Sequence, residues 1–239
     1  MKTFLNHEHR VIAEALSLMD HDYLLANRCW FGGGTAIVLK LGEYRRSLDV
    51  DFLCSSIQGY RELRSAAAER GLRAFFPEPV KALRDFRIDQ YGVRTMLEFK
   101  GQQIRFEIVR EGRVDLDGVR DADLGVPILS TADMVTEKLL ANADRCQDRS
   151  VAYRDAFDLG MLIERHGPFP AQAVDKARMA YGTDIQRKLA WVVDRLQDDG
   201  ERDMAADVLT MQRDIASRAI SFLRDEVARL WPLPTDSES

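Results

Sequence analysis

Cysteine is scarce. The 239 residues hold three, Cys29, Cys54 and Cys146, far apart and without a Cys-x-x-Cys pair. That excludes a disulfide framework and points to reduced thiols, in the core or at the surface, of a cytoplasmic protein. No apolar run approaches the length of a membrane span. The opening Met1-Lys2-Thr3-Phe4-Leu5-Asn6-His7-Glu8 has no signal-peptide core. Positive charge is not in excess: 34 Lys and Arg stand against 39 Asp and Glu, a net charge of −5. General nucleic-acid binding would leave a basic footprint, and none is visible, although a local basic patch can sit inside an acidic total. Histidine is equally sparse. His7 and His9 lie two apart and do not share a helix face, and His21 and His166 are isolated. No histidine is assigned as a ligand, and His7 and His9 are expected as solvated residues at a helix start. Internal repeats and low-complexity segments are missing too.

Apolar residues make up 46% of the chain and charged residues 31%, the balance of a globular protein. The length suffices for one large domain or two modest ones. The most informative stretch spans residues 30–53: a short apolar strand, the turn Gly32-Gly33-Gly34, a brief helix near 34–42, and a strand carrying Asp49 and Asp51. Strand side chains alternate, so these carboxylates point the same way, roughly 6.6 Å apart. Like charges so placed repel, and a divalent cation removes the conflict; hard oxygen ligands suit Mg²⁺. The turn lacks the Gly-Lys-Ser/Thr ending of a P-loop, yet its amides can cradle phosphate at a helix N-terminus.

Elsewhere the pattern is ordinary. Residues 6–25 read as one amphipathic helix with Asn6 as N-cap, and 59–70 as another. Residues 72–128 read as strands, the best being 93–100 and 103–109, joined by Gly101-Gln102. Glu107, on the face shared with Arg105, is either a functional carboxylate or a cross-strand partner for a basic residue; Glu98 is its rival on the preceding strand. Ser130 and Asp133 resemble a capping box before a helix over 132–144 that carries Lys138. A helix after Asp148 carries Asp155 and Asp158, three apart at the border of an apolar stripe. Carboxylates there need partners, and Lys138, Arg145 or Arg154 can supply them. Further helices follow, with Gly200 as the break between a stripe at Ile185, Leu189, Val192, Val193 and Leu196 and one at Val208, Met211, Ile215, Ala219 and Phe222. Pro232 and Pro234 end the last helix, and residues 235–239 read as a disordered tail.

Gly33-Gly34-Thr35 followed by Arg45-x-Ser47-x-Asp49-x-Asp51-Phe52 resembles the nucleotidyltransferases of the DNA polymerase β type, and most closely the AbiEii/AbiGii toxin family. Lys138 through Arg145, then Arg154-Asp155-x-x-Asp158-Leu159, resembles the second half of that family's signature. The resemblance covers about residues 28–165. It implies that Asp49, Asp51 and Glu107 hold two Mg²⁺ (or Mn²⁺) ions, about 3.5–4 Å apart in such sites. It further implies that Gly33, Gly34, Thr35 and Ser47 position the phosphates of an NTP, that Lys138 adds a charge to them, and that Asp155 or Asp158 supports catalysis. The expected fold is α+β: a nucleotidyltransferase domain over 1–129, with a small mixed sheet flanked by helices, a helical domain over 130–239, and the active site in the cleft between them. The expected activity is NMP transfer to a hydroxyl acceptor. By resemblance the protein is the toxin of a type IV toxin–antitoxin system, acting on tRNA and restrained by an antitoxin protein, with no membrane association. A small-molecule nucleotidyltransferase of the aminoglycoside-modifying kind, and a degenerate non-catalytic binding module, are the competing readings; the presence of both Asp49 and Asp51 speaks against the last.

Overall fold

Alternation and glycine punctuation in the first half of the chain produce a mixed sheet, seen in a computed structural model that describes residues 3–76 and 80–232. Its strands are β1 (Cys29–Gly32), β2 (Val50–Cys54), β3 (Lys81–Ala82), β4 (Arg87–Ile88), β5 (Gly92–Phe99), β6 (Gln102–Arg110), β7 (Gly118–Arg120) and β8 (Pro127–Leu129). The order is β3-β5-β6-β2-β1-β8-β7, with β4 also on β5. β2 runs antiparallel to β1 and parallel to β6. Three helices, α1 (His7–Ser17), α2 (His21–Ala26) and α3 (Gly33–Lys40), accompany β1, and α4 (Ile57–Arg70) follows β2. The second half is helical: α5 (Thr131–Arg145), α6 (Arg154–His166), α7 (Ala171–Tyr181), α8 (Asp184–Arg195), α9 (Asp199–Val208) and α10 (Arg213–Leu230).

Internal packing divides the chain into two compact units. The first comprises Met1–Glu43 and Ser47–Met134; the second comprises Tyr44–Arg46 and Val135–Ser239. The expected boundary was 129/130; the division instead falls inside α5 and assigns three residues of the early loop to the second unit.

The first unit is built on aromatic packing. Phe52 and Phe106 lie on one face of β2 and β6, and Phe31, Phe75 and Phe76 join them at ring distances of 5.3–6.1 Å. Phe31, Phe52, Phe75 and Phe106 are fully buried, each worth about 1.5–3 kcal/mol of burial. The alternation that sends Phe52 and Phe106 into the core sends Asp51 and Glu107 to the other face. In the second unit, α6 and α10 approach closely: a Cβ on Gly160 would meet the Ala219 carbonyl oxygen at 2.1 Å. Ala216 and Ala219, both fully buried, complete that small-residue seam.

Several local expectations need correction. The helix expected over 6–25 is two, because Asp20 caps a fresh start through the Tyr23 amide. The hairpin turn is Lys100-Gly101, not Gly101-Gln102: both residues have positive φ, 50° and 77°, the geometry of a two-residue turn with glycine second. Gly200 lies inside α9, whose N-cap is Asp198. The break that matters is at Thr210, with φ 53°. It interrupts the second apolar stripe, leaving Met211 and Ala219 buried but Val208 and Phe222 exposed. His9 is buried, not solvated. Asn6 caps α1 as expected, accepting from the Glu8 amide, and Ser130 caps α5 through the Asp133 amide. Cys29 and Cys54, distant in sequence, are register partners across β1 and β2, and all three thiols are free and buried. Among the described residues no helix is long and apolar enough to cross a membrane. Pro234 and the expected disordered tail lie outside the described residues.

Candidate active site

The site of the first unit starts at the glycine turn. Gly33 opens α3 with φ +66°, and a Cβ there would stand 2.8 Å from Asp51 Oδ2. Glycine is needed on both counts, for the left-handed backbone and for the approach of the carboxylate. The turn and Asp51 are thus in direct contact. The β1–β2 register sets this up by placing Gly32 opposite Asp51.

A row runs across the sheet from there. Asp51 pairs with Glu107 on β6, Glu107 with Arg94 on β5, and Arg94 with Arg87 on β4. Two carboxylates therefore sit beside two guanidiniums. Glu98 pairs with Lys81 and Gln103, four residues along β5 from Arg94, so Glu107 rather than Glu98 is the carboxylate in register with Asp51. Glu107 is buried and held on both oxygens: Arg94 Nε donates to Oε1, and Arg105 Nη2 donates to Oε2 at 2.9 Å. Arg105 Nη1 also stands 4.0 Å from Asp49 Oδ2, in a half-exposed position.

This arrangement bears on a divalent cation. β2 starts at Val50, so it carries Asp51 but not Asp49, which stands just before it, outside the strand expected to hold both. Each is partly exposed and has the hard-oxygen chemistry that Mg²⁺ or Mn²⁺ requires. Glu107 stands next to Asp51 in the row, but its oxygens are taken by arginines. Among the described residues no three His, Cys, Asp or Glu side chains stand as an assembled metal site. Asp49 and Asp51 are the donors that fit such a cation, and Glu107 is committed to Arg94 and Arg105.

Thr35 and Ser47 come together, with their hydroxyl oxygens 2.9 Å apart. Thr35 is fully buried and Ser47 only half-buried. Gly33 and Gly34 are partly exposed.

The second unit holds Lys138, Asp155 and Asp158, all buried. Lys138 Nζ lies 2.8 Å from Asp155 Oδ1 and 2.6 Å from Asp158 Oδ2. Arg145 donates to both Asp155 oxygens, at 2.7 and 2.9 Å. Asp158 accepts from Tyr44 Oη at 2.5 Å and from Arg45 at 2.7 and 2.8 Å. Burial pushes the Asp155 carboxyl up, but the Lys138 and Arg145 charges outweigh it and hold it well below the usual range. Burial acts the same way on Asp158, and Arg45 and Lys138 bring it down. The Arg45 guanidinium, buried against Asp158, stays charged. This is an internally satisfied ion network, made of the lysine and aspartates that the sequence reading placed at the nucleotide. Tyr44 and Arg45 were missed as its members because more than 110 residues separate them from Asp158.

A mixed sheet with a Gly-Gly turn against a carboxylate strand, followed by helices, is the nucleotidyltransferase fold, and the chain is a nucleotidyltransferase. It belongs to the AbiEii nucleotidyl transferase toxin family of type IV toxin–antitoxin systems, whose sequence model matches residues 17–231. No curated protein matches it. Among solved structures it is similar to JHP933 from Helicobacter pylori, at 18% identity and TM-score 0.55, covering 95% of each chain. A candidate nucleotidyltransferase from H. pylori is similar at 18% identity and TM-score 0.51, covering 95% of this chain and 97% of that one. At such identities the likeness speaks for the fold alone.

Proposed function

We propose that the protein transfers a nucleoside monophosphate from an NTP to a hydroxyl of tRNA, as the toxin of a type IV toxin–antitoxin pair, in the presence of Mg²⁺ or Mn²⁺. The observation that carries this reading is the contact of Gly33 with Asp51: the phosphate-cradling turn and the acid pair form one site. In it the amides of Gly33 and Gly34 face the triphosphate, helped by the positive end of α3. The Ser47 hydroxyl, tied to Thr35, donates to a phosphate oxygen. Asp49 and Asp51 would hold the cation, with Glu107 beside them. A bound divalent cation supplies charge neutralisation for the triphosphate and lowers the pKa of the acceptor hydroxyl. Arg87, exposed at the far end of the row, adds positive charge there, which suits an acceptor bearing phosphates better than a small sugar. Asp158 holds Arg45 and Lys138, and Lys138 also holds Asp155, so the part of these three residues is structural, within the helical unit. An antitoxin protein is the expected partner.

Label transfer from each α-labelled NTP to total tRNA tests the reading. Asp49→Asn and Asp51→Asn should each abolish Mg²⁺-dependent transfer with an unchanged circular dichroism spectrum. Transfer that survives in either variant removes these aspartates from the chemistry. Transfer to an aminoglycoside but not to tRNA would establish the small-molecule alternative.

A further inference from the structure

One buried histidine is unused by this account. His9, on α1, is 1% exposed. Its Nδ1 lies 2.9 Å from Glu43 Oε1. Glu43 also accepts the amides of Leu5 and Asn6, at 2.7 and 3.0 Å. Burial works against the Glu43 charge, but the Leu5 amide and His9 hold its carboxyl below the ordinary range. A carboxylate only accepts, so Nδ1 carries the proton. In the neutral ring Nε2 is then an acceptor, and the Ser47 amide points at it, 3.4 Å away. Ser47 passes the connection on to Thr35 through the paired hydroxyls. The chain Glu43–His9–Ser47–Thr35 lies wholly in the first unit. One imidazole holds both residues that flank Tyr44–Arg46, the three residues assigned to the second unit.

We propose that His9 is a positioning residue of the nucleotide site: by fixing the Ser47 amide it sets the Ser47 hydroxyl where a triphosphate oxygen meets it, beside the glycine turn. This rests on the nucleotide reading above. A hydroxyl serves as a phosphate donor only if its backbone is held before the ligand arrives. Thr35 restrains the hydroxyl itself, and His9 restrains the main chain behind it. Glu43 sets the tautomer. The ring touches no phosphate and takes no part in proton transfer.

Two amides replace the two halves of the ring. Gln at position 9 puts its terminal amide near Nε2 and can accept from the Ser47 amide. Asn puts its own near Nδ1, keeping the Glu43 bond but losing Ser47. Affinities for the four α,β-methylene NTPs with Mg²⁺ are measured by calorimetry on the wild-type chain, H9N, H9Q, S47A and the H9N/S47A double variant, with folding checked by thermal melts. H9N should bind about tenfold more weakly, the size of one lost hydrogen bond, and H9Q should recover most of that. The double variant should be no weaker than S47A alone, because both changes remove the same donor. The proposal is overturned if folded H9N binds like wild type, if Asn and Gln weaken binding equally, or if the two losses multiply. If H9N does not fold, hydrogen exchange on the wild-type chain decides: a Ser47 amide protected without nucleotide supports the assignment, and a freely exchanging one overturns it. A wild-type chain that binds none of the four analogues sinks the nucleotide reading itself, whereas the other negative outcomes leave that reading standing.

Discussion

Gly33 combines two demands that seldom meet on one residue. Its φ of +66° disfavours any side chain, and its missing Cβ leaves room for Asp51 Oδ2. Gly33→Ala therefore strains the turn and displaces the carboxylate together. Stability should fall by about 1–2 kcal/mol in urea melts. Transfer should fall by about 100-fold, as expected for a reacting group moved by about an ångström. A variant destabilised but fully active would show that Asp51 tolerates the shift. Glu107 makes a contrasting case. Arg94 and Arg105 already occupy its oxygens, so Glu107→Gln should weaken Mn²⁺ binding to the apo chain less than Asp49→Asn does, as read by paramagnetic relaxation. A larger loss for Glu107→Gln would mean that the arginines give it up to the cation.

At the scale of elements, α5 and α6 are joined by charge as much as by apolar packing. Lys138 on α5 faces Asp155 and Asp158 on α6, and Asp158 also holds Arg45. Removing one member of a buried ion set leaves the others uncompensated. Lys138→Met should cost about 3–5 kcal/mol, with or without nucleotide. If Lys138 instead met the triphosphate, the apo variant would melt almost normally and lose the stabilisation that NTP–Mg²⁺ gives by mass action. The pH dependence follows from the same contacts. Both aspartates have folded pKa values below the unfolded value of about 3.9. Below that value the unfolded chain binds more protons than the folded one, so stability rises with pH there. Their contribution is complete above about pH 4 and is lost as pH falls through the depressed folded values. Urea midpoints should therefore be insensitive to these groups at neutral pH and drop on strong acidification. Asp158→Asn should flatten that acid limb.

For the whole molecule, the family assignment makes growth the relevant readout. Expression of the wild-type chain should slow bacterial growth, and the Asp49→Asn variant at equal, verified level should not. Equal growth of both would favour the small-molecule reading, because an enzyme that modifies an absent drug harms nothing. The division of the chain matters here as well. Tyr44–Arg46 packs with the helical unit through Asp158 and through the Arg46 amide to the Leu209 carbonyl, 3.0 Å. The residues on either side belong to the sheet unit and are held by His9.

Much of this was legible in local pattern. A period of two placed Asp51 on the face opposite Phe52. Glycine spacing announced the turn. Ser130 and Asp133 announced the start of α5, and the change of period near residue 130 announced the helical half. These are properties a short stretch decides for itself, through its own backbone geometry. Pairings between distant stretches were not legible. The parallel alignment of β2 with β6, which sets Asp51 against Glu107, depends on the long connection between Cys54 and Gln102. His9 looked solvated because Glu43, the residue that makes its burial tolerable, lies 34 positions away. Lys138, Asp155 and Asp158 were recognised as a group, but only packing decided that their charges turn toward one another and toward Arg45. Val208 and Phe222 kept helical spacing with the core and still face outward, because Thr210 breaks the helix between them. The sequence by itself determined which segments bend, cap and alternate, since those choices are made within a few residues. Tertiary structure alone decided which charges are neutralised from within, as at Asp155, Asp158 and Glu107, since that depends on partners brought together only by folding.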